Sequence, residues 1–160
     1  MRLVEEANRL VGKLTGHRRP EASDIRVVRR KANAFGFSDD GATPNNPRFP
    51  MLHYRSAVQL DPAFDSAAIF EVLFSSNGWN VAWRDSIYRF RHFHTKTHEV
   101  LGIARGHARV EFGGRNGRTL AIKAGDVIVL PAGTGHRRLS SSRDLLVVGA
   151  YPERGSYDEP

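Results

Sequence analysis

The sequence predicts an all-β fold, a sandwich or barrel that carries an N-terminal helix and one additional short helix. Three observations carry that expectation. Between residues 86 and 151 short runs rich in Val, Ile, Leu and Phe follow one another. Glycine turns, written GH, GGRNG, AGD and PAGTG, separate those runs. No internal repeat and no low-complexity tract competes with that reading.

Taken in order, the first 14 residues place Leu3, Val4, Ala7, Leu10, Val11 and Leu14 at helical spacing, and Gly16 supplies a stop. That segment reads as an amphipathic helix whose apolar stripe packs on the domain or on a second subunit. With the basic run IRVVRRK at 25–31 it forms an extension over residues 1–40, ahead of a single domain over 41–160. NAFGFSDDGATPNNPRFP, ending at Pro50, is rich in Gly, Pro, Asn and Asp and reads as loop. MLHYRSAVQL then supplies a short strand. Asp61 and Pro62 offer an N-cap and a first-turn proline for a helix through Phe74, closed by SSNG.

Composition narrows the function classes. The 160 residues suffice for one domain with an apolar core, and no run of 18 apolar residues is present to span a bilayer. Glu5, Glu6 and Arg9 break up any signal-peptide core, so a cytoplasmic address is expected. With no cysteine, thiolate catalysis and cysteine-held clusters are excluded, and any metal must be held by nitrogen and oxygen. The net charge of +7 is spread along the chain without interleaved aromatics, which favours a solvated basic surface over a nucleic-acid site. Positive potential of this kind can still draw in a small anionic ligand.

The chemistry concentrates in RHFHTKTHEVLGIARG, residues 91–106. If SIYRFRHFH is a strand, Tyr88, Phe90, His92 and His94 share the inner face while Arg89 and Arg91 face solvent. In the next strand Glu99, Leu101 and Ile103 share a face, which puts a carboxylate into an apolar row. Such a group is costly unless paired or bound to a cation, so with two histidines beside it a metal is favoured over a hydrogen-bonded core. His98 alternates away to the rim. His17, His53 and His107 have no carboxylate or histidine company in the sequence, and each reads as structural or solvent-facing. His136, alone after its turn, carries no message by itself.

Residues 92–106 read H-x-H, four residues, Glu, six residues, Gly; residues 125–136 read Gly, five residues, P-x-G, two residues, His. In that order, with 18 residues between them, the two motifs resemble the conserved pair of the cupin superfamily. From about Pro44 to Asp158, through PNNPRFP, SSNGW, THEVLGIARG, AGDVIVLPAGTGHRRL and VVGAYPE, the chain is similar to short single-domain bacterial cupins of unassigned role. Ser140 stands where the second motif often ends in asparagine.

The resemblance implies a double-stranded β-helix, the jelly-roll cupin barrel, with a divalent first-row metal held by His92, His94, Glu99 and His136. Three imidazoles and a carboxylate suit Fe, Mn, Ni, Co or Zn. An octahedral ion would keep two open positions, fit for a dioxygenase or for Lewis-acid isomerase or lyase chemistry on a small, anionic organic molecule. His98 and Tyr88 are candidates for proton transfer by proximity. Two other classes stand beside the enzyme: a non-catalytic metal-dependent binder or sensor, and a basic nucleic-acid-associated protein. A homodimer is expected, through the N-terminal stripe.

Overall fold

Nine strands form among the described residues, which are Leu3, Glu6 and residues 18–153 of a computed structural model. They are β1 (Asn33–Phe35), β2 (Met51–Tyr54), β3 (Trp79–Asp85), β4 (Glu99–Arg105), β5 (His107–Phe112), β6 (Arg118–Lys123), β7 (Val127–Leu130), β8 (His136–Ser141) and β9 (Leu146–Pro152). One sheet has the order β1-β2-β7-β4-β9-β3 and the other β6-β5-β8, and every pairing is antiparallel. The fold is mostly β, as the alternation and glycine turns predict. The helix expected over residues 1–14 and His17 lie outside the described residues but for Leu3 and Glu6. No helix of the described residues is long and apolar enough to cross a membrane.

Burial explains the runs of consecutive apolar residues. Leu101, Ile103, Ile128, Leu130 and Val147 of the larger sheet meet Val110, Phe112 and Ile122 of the smaller one in the core between the sheets. The outer face of the larger sheet is covered as well, by α1 (Ser66–Ser75), whose Ile69, Phe70 and Phe74 pack on Val100, Ala104, Val148 and Ala150. A strand buried on both faces loses its polar alternation, so β4 is buried from Glu99 through Ala104.

The helix begins at a different aspartate from the one the sequence suggests. Asp61 accepts from the Ala63 N–H at 2.8 Å, and its carbonyl accepts from Phe64 at 3.1 Å, which closes a turn around Pro62. Asp65, held extended by its N–H bond to the Arg18 carbonyl at 2.9 Å, is the cap and accepts from Ala67 at 3.0 Å. Local chemistry suits both aspartates, and a contact from residue 18 decides between them. The segment expected as loop contains β1, three residues paired to β2. The strand series also starts earlier than residue 86, with β3 at Trp79.

Residues ahead of position 41 are tied to the segment that follows β2: Val28 donates to Ala57 at 2.7 Å and Gln59 to Arg26 at 3.0 Å. His53 corrects a sequence expectation. Its Nε2 lies 2.9 Å from Asp126 Oδ2, and both residues are buried. Burial pushes the Asp126 carboxyl up, but His53 and the backbone N–H groups of Ser56 and Lys123 outweigh it and hold the group below its usual range. The structural reading of His53 stands, with a carboxylate partner 73 positions away.

Gly102 is where α1 touches the sheet most closely: a Cβ there would lie 2.3 Å from Cδ1 of Phe70. Gly102→Ala is therefore expected to destabilise the protein by about 1–3 kcal/mol, read from the midpoint of urea unfolding. A Gly102→Ala/Phe70→Leu double variant should recover part of that loss.

Candidate functional site

Glu99 opens β4 on the row that continues through Leu101 and Ile103 into the core, and it is only 2% exposed. His136 opens β8 of the opposite sheet, paired with Phe112. The two motifs thus approach each other from different sheets at one end of the sandwich. His94 Nε2 stands 3.6 Å from Glu99 Oε2, and His136 Nε2 stands 3.4 Å from Glu99 Oε1. The His92 and His136 rings lie 3.9 Å apart between centres. All four side chains are buried and line one cavity of about 140 Å³.

The strand expected over residues 86–94 is reduced to a bridge between His92 and His136, which exchange backbone bonds of 3.2 and 3.0 Å. The next bonds run from Arg138 N–H to the Tyr88 carbonyl at 2.8 Å and from Gly133 N–H to the His94 carbonyl at 2.6 Å. From His92 back to Tyr88 is four residues, against two from His136 to Arg138, so the excess bends out at Arg89 and Phe90. The histidines still point inward. Tyr88 and Phe90 do not take the inner positions expected of them: they are 55% and 57% exposed, stacked with ring centres 4.7 Å apart at the cavity mouth.

His98, the other residue considered for proton transfer, does not line this cavity. Its Nδ1 accepts from the Ala132 N–H at 2.9 Å, which fastens the turn before His136. His107 is exposed at the start of β5.

Charge at this end is set by burial and by the facing rings. Burial pushes Glu99 up, but His136, His94 and the Tyr151 hydroxyl together outweigh it and hold the carboxyl below its usual range, so it is ionised. Burial and then the neighbouring His136 lower His92 to about 4, against weaker opposition from the Phe90 carbonyl and Glu99. At neutral pH His92 is therefore an uncharged imidazole. Nδ1 of His136 faces the Thr134 carbonyl at 3.1 Å, and Nδ1 of His92 faces that of Phe90 at 3.5 Å. A carbonyl only accepts, so the proton sits on Nδ1 and the Nε2 lone pair is left for another partner. One oxygen of the pair, Glu99 Oε1, is buried with no hydrogen-bond partner among the described residues.

With two histidines, a glutamate and a distant third histidine gathered at one end, the chain can be set beside known proteins. No protein-family model matches it. It is 39% identical over 131 residues to the uncharacterized protein YjlB of Bacillus subtilis (strain 168), covering 82% of this chain and 76% of that protein. The chain belongs to the YjlB family. This relative is itself uncharacterized, in keeping with the unassigned role of the bacterial proteins that the sequence resembles. Among solved structures, a DUF861 family protein from Thermotoga maritima is 19% identical with a TM-score of 0.33, covering 56% of this chain and 89% of that one. Procruciferin, an 11S globulin of Brassica napus, is 12% identical with a TM-score of 0.38, covering 77% of this chain and 30% of that one.

Three residues that serve this site escape a reading of the sequence. Strict alternation along β3 would put Trp79, Val81 and Trp83 on one face, but a register shift between Val81 and Trp83 turns Trp83 into the cavity wall. Tyr151, near the end of β9, brings its hydroxyl within 3.3 Å of His94 Nε2. Asn45, buried at a φ of 54°, holds the turn ahead of His136 from the far side. Its Nδ2 donates to Ser38 and Gly113 at 2.8 and 3.0 Å, and its Oδ1 accepts from Gly135 at 3.2 Å. The PNNP stretch signals a turn; nothing in it signals that Asn45 clamps a loop 90 positions away.

The lowered His92 makes metal-free stability depend on pH. Below the ordinary imidazole range the unfolded chain takes up a proton that the folded ring refuses, so this contribution is present above about pH 6.5 and lost as pH falls toward 4. Urea midpoints taken in chelator should fall across that window, and His92→Gln should remove on the order of 3 kcal/mol of the fall.

Proposed function

We propose that this YjlB-family chain is a metal-binding cupin of jelly-roll architecture and that it acts as a metalloenzyme on a small organic molecule. Its divalent ion would be held by His92, His94, Glu99 and His136. The observation that carries the reading is the buried Glu99 oxygen without a hydrogen-bond partner, facing His136 Nε2 across 3.4 Å. Atoms each about 2.0–2.2 Å from a shared ion stand roughly 3–3.5 Å apart, which is close to the 3.4 and 3.6 Å that separate Glu99 from the two imidazoles. A hydrogen bond would have drawn them nearer.

Among the described residues, no group of three or more His, Asp or Glu side chains stands as a finished metal cage. His92, packed against the His136 ring, has to turn to join the set. The donor chemistry nonetheless fits: one ionised carboxylate, a neutral His92, and Nδ1 protons of His92 and His136 directed to backbone carbonyls.

When bound, such an ion supplies a Lewis acid or a site for oxygen chemistry. The chain's own residues supply the rest. Leu101 and Trp83 give the cavity an apolar wall, Tyr88 and Phe90 narrow its mouth against water, and the Tyr88 hydroxyl is the rim group through which a proton can pass to solvent.

Elemental analysis of untagged protein prepared without chelator tests the proposal, with the His92→Ala/Glu99→Ala double variant alongside. Near-stoichiometric Fe, Mn, Ni, Co or Zn in the wild type and its loss in the variant are expected. No metal in either, before or after reconstitution, would overturn the metal centre. Metal-loaded protein that binds small molecules reversibly and turns over none would make it a binder or sensor.

A further inference from the structure

The chain carries 24 Lys and Arg against 17 Asp and Glu, yet the cavity is lined by neither Lys nor Arg among the described residues. Its charged lining is acidic: Glu99 at the base and Asp85 in the wall. Asp85 ends β3 with its carboxylate exposed; Oδ1 accepts from the Ser86 N–H at 2.7 Å, and the side chain forms no ion pair among the described residues. Ser86 belongs to the same wall, and its hydroxyl oxygen is buried without a hydrogen-bond partner among the described residues. The aromatic pair Tyr88 and Phe90 follows immediately, so the polar wall and the apolar rim come from one short segment.

A divalent ion beside ionised Glu99 would leave the base of the cavity with a single positive charge, and Asp85 would bring the lining as a whole to neutrality. A carboxylate or phosphate entering such a cavity meets Asp85, exposed in its lining, as a like charge and is repelled there. A hydroxyl or ammonium group meets the same carboxylate as a hydrogen-bond acceptor. The volume sets the scale: about 140 Å³ is close to the engineered cavities of about 150 Å³ that hold benzene, and well under a drug-sized pocket.

We infer that the ligand of this cavity is a small neutral or cationic hydroxyl- or amino-bearing molecule, and that Asp85 is the residue that selects it against carboxylates and phosphates. The inference rests on the metal reading above and names the substrate class of that same site. It departs from the small anionic ligand suggested by the net charge: Lys and Arg stand outside the cavity, whose charged lining among the described residues is acidic.

The test is a competition among three probes of equal length, ethylene glycol, ethanolamine and glycolate. Each is titrated against wild type and Asp85→Asn while Trp fluorescence is followed, since Trp83 stands in the cavity wall. Asn keeps the oxygen that accepts from Ser86, so the local turn is preserved, and thermal melts confirm folding. Because glycolate chelates metals on its own account, the readout is the ratio of glycolate to ethylene glycol affinity in each protein. Removing the charge is expected to raise that ratio by about threefold to fivefold and to weaken ethanolamine relative to ethylene glycol. An unchanged ratio in folded Asp85→Asn that holds its metal would overturn the role of Asp85 and leave the metal centre standing. Metal content is measured on the same samples, and failure to load either protein would instead sink the metal reading. The titrations repeated on metal-free protein then still decide whether Asp85 discriminates by charge.

Discussion

Glu99 is ionised and almost fully buried, at the end of an apolar row whose next members are Leu101 and Ile103. An isolated carboxylate in such a place would cost several kcal/mol, and the geometry around it is the set of answers to that cost. His94 and His136 face its two oxygens, Tyr151 approaches from β9, and the bridge between His92 and His136 holds the irregular segment to β8. The compensation among the described residues is incomplete, because one oxygen remains without a hydrogen bond. That deficit distinguishes Glu99 from a carboxylate in a fully satisfied polar core.

Holding those groups still requires both sheets. Glu99 belongs to the larger one and His136 to the smaller, so any slip between the sheets would pull the carboxylate and the imidazole apart. The larger sheet is pinned from outside by α1, whose Phe70 presses on the backbone at Gly102, three residues along β4 from Glu99. The turn ahead of His136 is pinned by Asn45 and by His98, whose Nδ1 accepts from the backbone there and which does not line the cavity. Packing, capping and loop clamping thus converge on the separation of a few ångströms across which the four side chains meet.

Irregularity at the edges gives the cavity its character. A register shift in β3 brings Trp83 inward, and two surplus residues opposite β8 carry Phe90 outward, so one aromatic closes the wall while Tyr88 and Phe90 shape the mouth. The same stretch delivers Asp85 and Ser86 to the wall.

Much of this was legible in the residues alone. Alternation and glycine turns specify a β fold, and the parity of Glu99, Leu101 and Ile103 places a carboxylate in the core row, because side chains two apart on a strand share a face whatever the rest of the molecule does. Alternation also turned His92 and His94 to one side, although the strand assumed for them is only a bridge. Tertiary contacts decided the rest. Arg18 selected Asp65 over Asp61 as the helix cap, and 73 positions separate His53 from its partner Asp126. A shift of pairing turned Trp83 about, and Asn45 found its acceptor role across the fold. Local rules set the direction of a side chain relative to its own backbone, whereas register, partnership and the seating of His136 beside Glu99 depend on which distant segment lies alongside, and only the packing of two sheets determines that.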